Sequence, residues 1–161
     1  MGRFEEQRAF LKTDFNMLKG VKTGASQGVL QPAPQKETEA EAVFIELPAP
    51  SVCELTKPNV RQCIGERKSV RKYIDEEITL EELSYLLWAT QGIRGINENG
   101  KAMRTVPSAG ATNTFETYIF VKNVRGLAQG IYRYQPYEHK LVFLKEVCDM
   151  TKMIDEMTTA E

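Results

Sequence analysis

The sequence predicts an α+β fold, with helices packed on a small, mainly antiparallel sheet, and three observations carry that reading. Residues 79–91 form a helix pattern: Thr79 and Glu82 make a capping box, Leu83, Leu86, Leu87 and Thr90 share one face, and Gly92 closes the run. Residues 117–124 are rich in β-branched and aromatic side chains, the composition of a strand. Residues 130–134 and 141–144 repeat that composition around a turn at 135–140, so the last two strands form a hairpin.

The remaining elements follow in order. Phe4, Phe10, Leu11, Phe15 and Leu18 recur at helical spacing, giving an amphipathic helix over 4–18. Residues 20–42 hold glycines and prolines and almost no large apolar residue, so they read as a linker and the core begins at 43. Residues 43–47 are a brief apolar run ending in Leu47-Pro48-Ala49-Pro50, an extended strap lying on the domain surface. Asn59 is an acceptable N-cap for a short helix to Glu66, with Val60, Cys63 and Ile64 on one face. Between Gly92 and Thr105, the turn chemistry of Gly95, Asn97, Asn99 and Gly100 reads as a loop. From Val147 onward, Met150, Met153, Ile154 and Met157 mark the start of a helix. Trp88 reads as core packing, and Tyr132, Tyr134 and Tyr137 as sheet packing. His139 has a structural place in the hairpin turn, with nothing nearby in sequence to orient its ring.

Composition narrows the function. The 161 residues fit one globular domain with an appendage. Twenty-one Lys and Arg against 22 Asp and Glu leave a net charge of −1, which offers nucleic acid or an anionic membrane no broad attracting field. No apolar run reaches the roughly 18 residues of a membrane span, and the N-terminus lacks the apolar centre of a secretory signal. Three cysteines without CxxC spacing and one histidine are too few partners for a zinc site, and reduced thiols in a cytoplasm are the simplest reading.

Two segments carry chemistry. In Arg67-Lys68-Ser69-Val70-Arg71, extended geometry would point Arg67, Ser69 and Arg71 one way, and two guanidinium forks with a hydroxyl between them match phosphate oxygens. The same run also reads as a solvated basic face. In Arg104-Thr105-Val106-Pro107-Ser108-Ala109-Gly110-Ala111, Pro107 sets the backbone, and Ala109, Gly110 and Ala111 remove bulk so that backbone N–H groups can approach a flat ligand. A tight turn leading into a strand is the alternative.

These segments, with the strap Ile45-Glu46-Leu47-Pro48, the helix LEELSYLLWATQG at 80–92, ETYIFVKNV at 116–124 and GLAQGIYRYQPYEHKL at 126–141, resemble the nitroreductase family of flavoproteins, and within it the SagB-type dehydrogenase branch. The N-terminal FLKTDF and its linker resemble that branch too, so the likeness covers nearly the whole chain. The resemblance implies an FMN-dependent oxidoreductase of α+β, nitroreductase-like fold, passing hydride through flavin N5, and a homodimer with flavin at the subunit interface. It implies that Arg67, Lys68, Ser69 and Arg71 hold the FMN phosphate and pyrimidine edge. Pro107, Ser108, Ala109 and Gly110 would then lie against the isoalloxazine, commonly that of the partner subunit. The flavin does the redox chemistry, so no catalytic side chain is assigned.

Members of this branch continue past the third strand into long interface helices, a Gly-Leu-Gly segment and further basic residues. The resemblance therefore implies a truncated or split protein: a helix and linker at 1–42, then a nitroreductase-like domain at 43–161 that is incomplete at its C-terminus. Its expected partners are a second copy or a complementing C-terminal polypeptide, with a nicotinamide, small-molecule or peptide substrate and neither nucleic acid nor membrane. A non-catalytic scaffold of the same fold with weak or no flavin binding is the alternative. A site for another phosphate is a third reading, against which stands the lack of a Walker loop or GxGxxG. Cut through its packing, such a chain is expected to be oligomeric or poorly soluble.

Overall fold

The structure, a computed structural model, describes residues 4, 5, 8, 11, 12, 14–57, 59–98 and 100–158. The chain divides into two compact units, Met1–Ala33 and Pro34–Glu161. In the first, Phe15–Leu18 and Ala25–Gln27 form single 3-10 turns. The helix expected over 4–18 lies partly outside the described residues, and its last turn is corrected. Asp14 is extended and its carboxylate accepts from the Asn16 N–H at 2.9 Å, so a new turn begins there in place of a continuing helix.

The second unit begins at Pro34, ahead of the boundary the sequence places at 42/43. Long-range hydrogen bonds account for the difference. Gln35 Nε2 donates to Glu138 Oε2 at 2.7 Å, the Lys36 N–H to Glu116 Oε1 at 2.7 Å, and Arg133 Nη2 to the Glu37 carbonyl at 3.0 Å. A polar segment without a core of its own is thus tied to the sheet through its backbone and amide groups.

Among the described residues the strands are β1 (Phe44–Glu46), β2 (Ile93–Ile96), β3 (Ala102–Arg104), β4 (Thr117–Val121), β5 (Gly130–Gln135) and β6 (Lys140–Glu146). The helices are α1 (Val60–Glu66), α2 (Leu80–Gln91) and α3 (Met150–Met157). Four strands form one antiparallel sheet in the order β1-β6-β5-β4, with the expected β5–β6 hairpin at its centre and the strap as an edge strand. Gly130 opens β5 because a Cβ there would meet the Lys145 carbonyl at 2.6 Å and the Phe143 ring at 3.0 Å.

The residues expected to form a loop at 92–105 instead make a second, two-stranded sheet of β2 and β3. The turn chemistry is real but confined to its tip. The Asn97 N–H donates to the Lys101 carbonyl at 2.9 Å, and Asn97 Oδ1 accepts from the Lys101 N–H at 2.8 Å. Strands of four and three residues are too short for their alternation to stand out beside that chemistry.

The core lies where α2 and the strap cover one face of the larger sheet. Leu47, Leu83, Leu87, Val121, Tyr132, Tyr134 and Leu141 form it, with Tyr132 set edge-on to Phe143 at 5.2 Å between centroids. The α2 capping box is present in full: Glu82 accepts from the Thr79 N–H at 2.7 Å and Thr79 Oγ1 from the Glu82 N–H at 3.2 Å. The buried face of α2 is rotated from the expected one. Leu83, Ser84 and Leu87 are buried while Leu86 is 53% exposed, because the Ser84 hydroxyl finds partners inside. Trp88 packs beside Tyr85 at 5.9 Å and forbids a side chain at Gly92, whose Cβ would fall on the Trp88 ring and backbone.

This rotation makes a measurable difference between neighbours. Leu87→Ala is expected to cost about 2–5 kcal/mol in urea unfolding, and Leu86→Ala to stay within about 0.5 kcal/mol of the parent. Equal losses would place the face as the sequence had it.

Candidate functional site

The basic segment leaves α1, whose N-cap Asn59 accepts from the Arg61 N–H at 2.9 Å and the Gln62 N–H at 3.4 Å. Residues 67–73 form no hydrogen-bonded ladder, and every one of them is exposed. The strand geometry expected there is therefore not a paired strand, although Arg67 itself has extended backbone. At its far end the segment regains order at Ile78, which bridges in parallel to Val124. The Ile78 N–H donates to the Asn123 carbonyl at 3.2 Å, and the Ile78 carbonyl accepts from the Arg125 N–H at 2.9 Å.

Charge is the informative property of this run. Among the described residues, no salt bridge or side-chain hydrogen bond engages Arg67, Lys68, Ser69 or Arg71. The preceding carboxylate is already used: Glu66 pairs with Lys57 and accepts from Gln62 Nε2 at 2.9 Å, and the Lys57 bond, foremost, holds its pKa below the ordinary carboxylate value. Glu77, on the other side, pairs with Arg125 at 2.6 Å. Glu66 and Glu77 thus face other bases, and among the described residues the cations at 67, 68 and 71 have no ion-pair partner.

The second segment starts at the C-terminus of α2. Arg104 is buried at the end of β3, and its Nη1 donates to the Gln91 carbonyl at 3.2 Å. Thr105 Oγ1 donates to the Trp88 carbonyl at 2.9 Å, and the Thr105 N–H to the Gly92 carbonyl at 2.9 Å. These donors satisfy the Gln91 and Gly92 carbonyls, add a second bond to the Trp88 carbonyl that already accepts from the Gly92 N–H, and set a cation at the negative end of the helix dipole. Arg94 Nε in turn donates to the Arg104 carbonyl at 3.0 Å. The Pro107–Gly110 stretch is therefore launched from a fixed point.

Pro107, Ser108 and Gly110 are exposed, and Ala109–Ala111 is a 3-10 turn kinked at Gly110 (φ 60°, ψ 16°). Gly110 is required by that left-handed backbone, since a Cβ there would meet only Thr112 Cγ2, at 3.8 Å. Ala111 (φ 55°) and Asn113 (φ 48°) share the left-handed conformation, which for Ala111 costs about 1–2 kcal/mol. The Ser108 hydroxyl accepts from the Asn113 N–H at 2.9 Å and holds the turn, leaving its own proton to donate outward. Among the described residues, no hydrogen bond or ion pair joins 67–71 to 107–110.

The sequence reading missed Arg104 and Thr105 as the anchors of this turn. Their signal was a basic residue and a hydroxyl beginning a Pro-Ser segment, but their partners are carbonyls of a helix thirteen or more positions earlier. His139 sits in the hairpin turn as expected, but its ring is not without an orienting neighbour. Tyr134, five residues before it, and Ser84 on α2 both orient its ring at 2.8 Å.

The model of the nitroreductase family matches residues 64–156. The chain belongs to the nitroreductase family. This family is one of flavin-dependent oxidoreductases, and the matched range takes in both candidate segments. Over 98 residues the chain is 39% identical to a Methanocaldococcus jannaschii protein named "Putative nitroreductase MJ1384", an alignment covering 61% of this chain and 46% of that relative. The chain thus spans less than half the length of this nitroreductase relative. Among the described residues, no helix is long and apolar enough to cross a membrane.

The anchoring of the Pro-Ser turn is open to test. Thr105→Val, which keeps the shape and removes the hydroxyl, is expected to lower unfolding stability by about 1 kcal/mol in urea. An unchanged midpoint would mean that the turn does not depend on α2.

Proposed function

We propose that this chain is an FMN-dependent oxidoreductase of the SagB-type dehydrogenase branch. Arg67, Lys68, Ser69 and Arg71 would hold the FMN phosphate and pyrimidine edge, and Pro107, Ser108, Ala109 and Gly110 would offer a low surface to the ring. The observation that carries this reading is that, among the described residues, the exposed Arg67, Lys68 and Arg71 make no ion pair, in a chain of net charge −1. An arginine fork satisfied by a carboxylate has little left for a ligand, whereas these forks keep their donors for phosphate oxygens. Ser69 adds a hydroxyl donor in the same run, and Ser108 keeps its proton for a ligand acceptor.

When bound, FMN supplies two-electron redox chemistry; the protein supplies binding and orientation. Its reductant or substrate is a nicotinamide, another small molecule or a peptide. The site is completed by a second copy of the chain. Tyr73, 90% exposed, and Phe115, 85% exposed, border the two segments and favour such a partner.

Visible absorbance after incubation with FMN and gel filtration tests the reading. The chain is expected to keep flavin bands, and Arg67→Ala with Arg71→Ala to weaken retention by at least about tenfold. A colourless eluate, or equal retention by the double variant, would remove the proposed cofactor role.

A further inference from the structure

Away from both segments, three parts of the chain meet at one buried polar cluster. Pro48 comes from the strap 44–50, Ser84 from the buried face of α2, and Tyr134 and His139 from the β5–β6 hairpin. Ser84 Oγ lies 2.5 Å from the Pro48 carbonyl oxygen and 2.8 Å from His139 Nε2, which is itself 3.2 Å from that carbonyl. His139 Nδ1 lies 2.8 Å from the Tyr134 hydroxyl, whose ring stands edge-on to the imidazole at 5.7 Å. Ser84 and Tyr134 are among the most buried side chains of the chain.

The donors can be placed one by one. A carbonyl only accepts, so the Ser84 hydroxyl donates to Pro48. Its lone pairs then face Nε2, whose N–H donates to Ser84 and leans towards Pro48. That tautomer leaves Nδ1 as an acceptor, and the Tyr134 O–H donates to it. Each proton has one place, and the set is complete only while the ring is neutral. A proton on Nδ1 would confront the hydroxyl hydrogen of a tyrosine that is 1% exposed and has no water to turn to.

We propose that His139 is a pH-sensitive latch, which ties the β5–β6 turn to Tyr134, α2 and the strap while its ring is neutral and loses its bond to Tyr134, loosening the turn, when the ring takes up a proton. The groups facing the ring favour this. From β5 it meets the Tyr134 hydroxyl, from α2 the uncharged Ser84, and from the strap a carbonyl. From β3, Arg104 acts on Tyr134. In the turn, Glu138 accepts from Gln35, and Lys140 sits over the Phe44 ring at 4.3 Å. Among the described residues, no carboxylate is hydrogen-bonded or ion-paired to the imidazole to hold a positive charge. Burial lowers the His139 pKa below its ordinary 6.5, with the Pro48 carbonyl pulling the other way, and burial pushes Tyr134 up to about 12, so the tyrosine stays a donor.

The sign follows from linkage. Between the ordinary and the depressed value the unfolded chain binds a proton that the folded chain does not, so stability rises with pH. The contribution of the latch is whole above pH 6.5 and is lost as pH falls through the depressed pKa of His139.

The chain has a single histidine, so its ring resonances in NMR report on His139 alone. In the full chain, His139 is expected to titrate below 6.5, and the protection of the turn amides at 135–140 against hydrogen exchange to fall about tenfold across that titration. The strap, whose Pro48 carbonyl keeps its bond from Ser84, should hold its protection. His139→Asn, whose residue tolerates the left-handed backbone at this position (φ 52°), should show turn protection that no longer depends on pH. Titration at or above 6.5, a parallel loss in the strap, or the same pH dependence in the variant would each overturn the latch. If the variant does not fold, the ring titration and turn exchange of the parent chain decide the matter.

Discussion

The packing of α2 between the strap and the inner face of the sheet is the constraint on which the rest of the second unit depends. Leu83 and Leu87 alone would give this helix a greasy stripe free to rotate over Tyr132, Tyr134 and Leu141. Ser84 removes that freedom. A hydroxyl at the centre of an apolar interface is costly unless bonded, so the helix adopts the rotation in which Ser84 meets Pro48 and His139. The exposure of Leu86 is the other side of the same choice.

With the rotation of α2 settled, both of its ends become reference points. Its C-terminal carbonyls receive Arg104 and Thr105 and thereby set the start of the Pro-Ser turn. Its N-terminal capping box follows directly on Ile78, where the segment that carried the basic run is hydrogen-bonded beside the end of β4. One rigid helix therefore holds the near end of each candidate segment. Their tips, at 67–71 and 107–110, lie at the surface, where polar donors remain hydrated until a ligand replaces the water.

What could be read from the sequence was whatever is encoded locally. The capping box of Thr79 and Glu82, the Asn59 cap and the hairpin around 135–140 depend on neighbours a few positions apart, and all three are present. The β2–β3 pair was missed because its strands are shorter than the period needed to recognise them. The partners of 34–42 are Glu116, Arg133 and Glu138, far along the chain, so its ties to the sheet could not be read locally. The candidate site divides in the same way. The residue types of the two segments announced their chemistry, but the occupied state of Glu66 and Glu77, which leaves the cations unpaired, and the left-handed backbone at Ala111 and Asn113 belong to three dimensions.

The pairing of β1 with β6 has a consequence for how the molecule is made. Phe44 aligns with Val142 and Glu46 with Lys140, so the first strand of the sheet to leave a ribosome has its only strand partner near the far end of the described chain. The β5–β6 hairpin closes over a short turn and can form at once, whereas the strap must wait, its apolar Ile45 and Leu47 uncovered, until nearly all of this unit has been synthesised. Synthesis order and assembly order thus run in opposite directions, and the prolines at 48 and 50 serve during that interval by making the waiting strand a poor template for pairing with other chains.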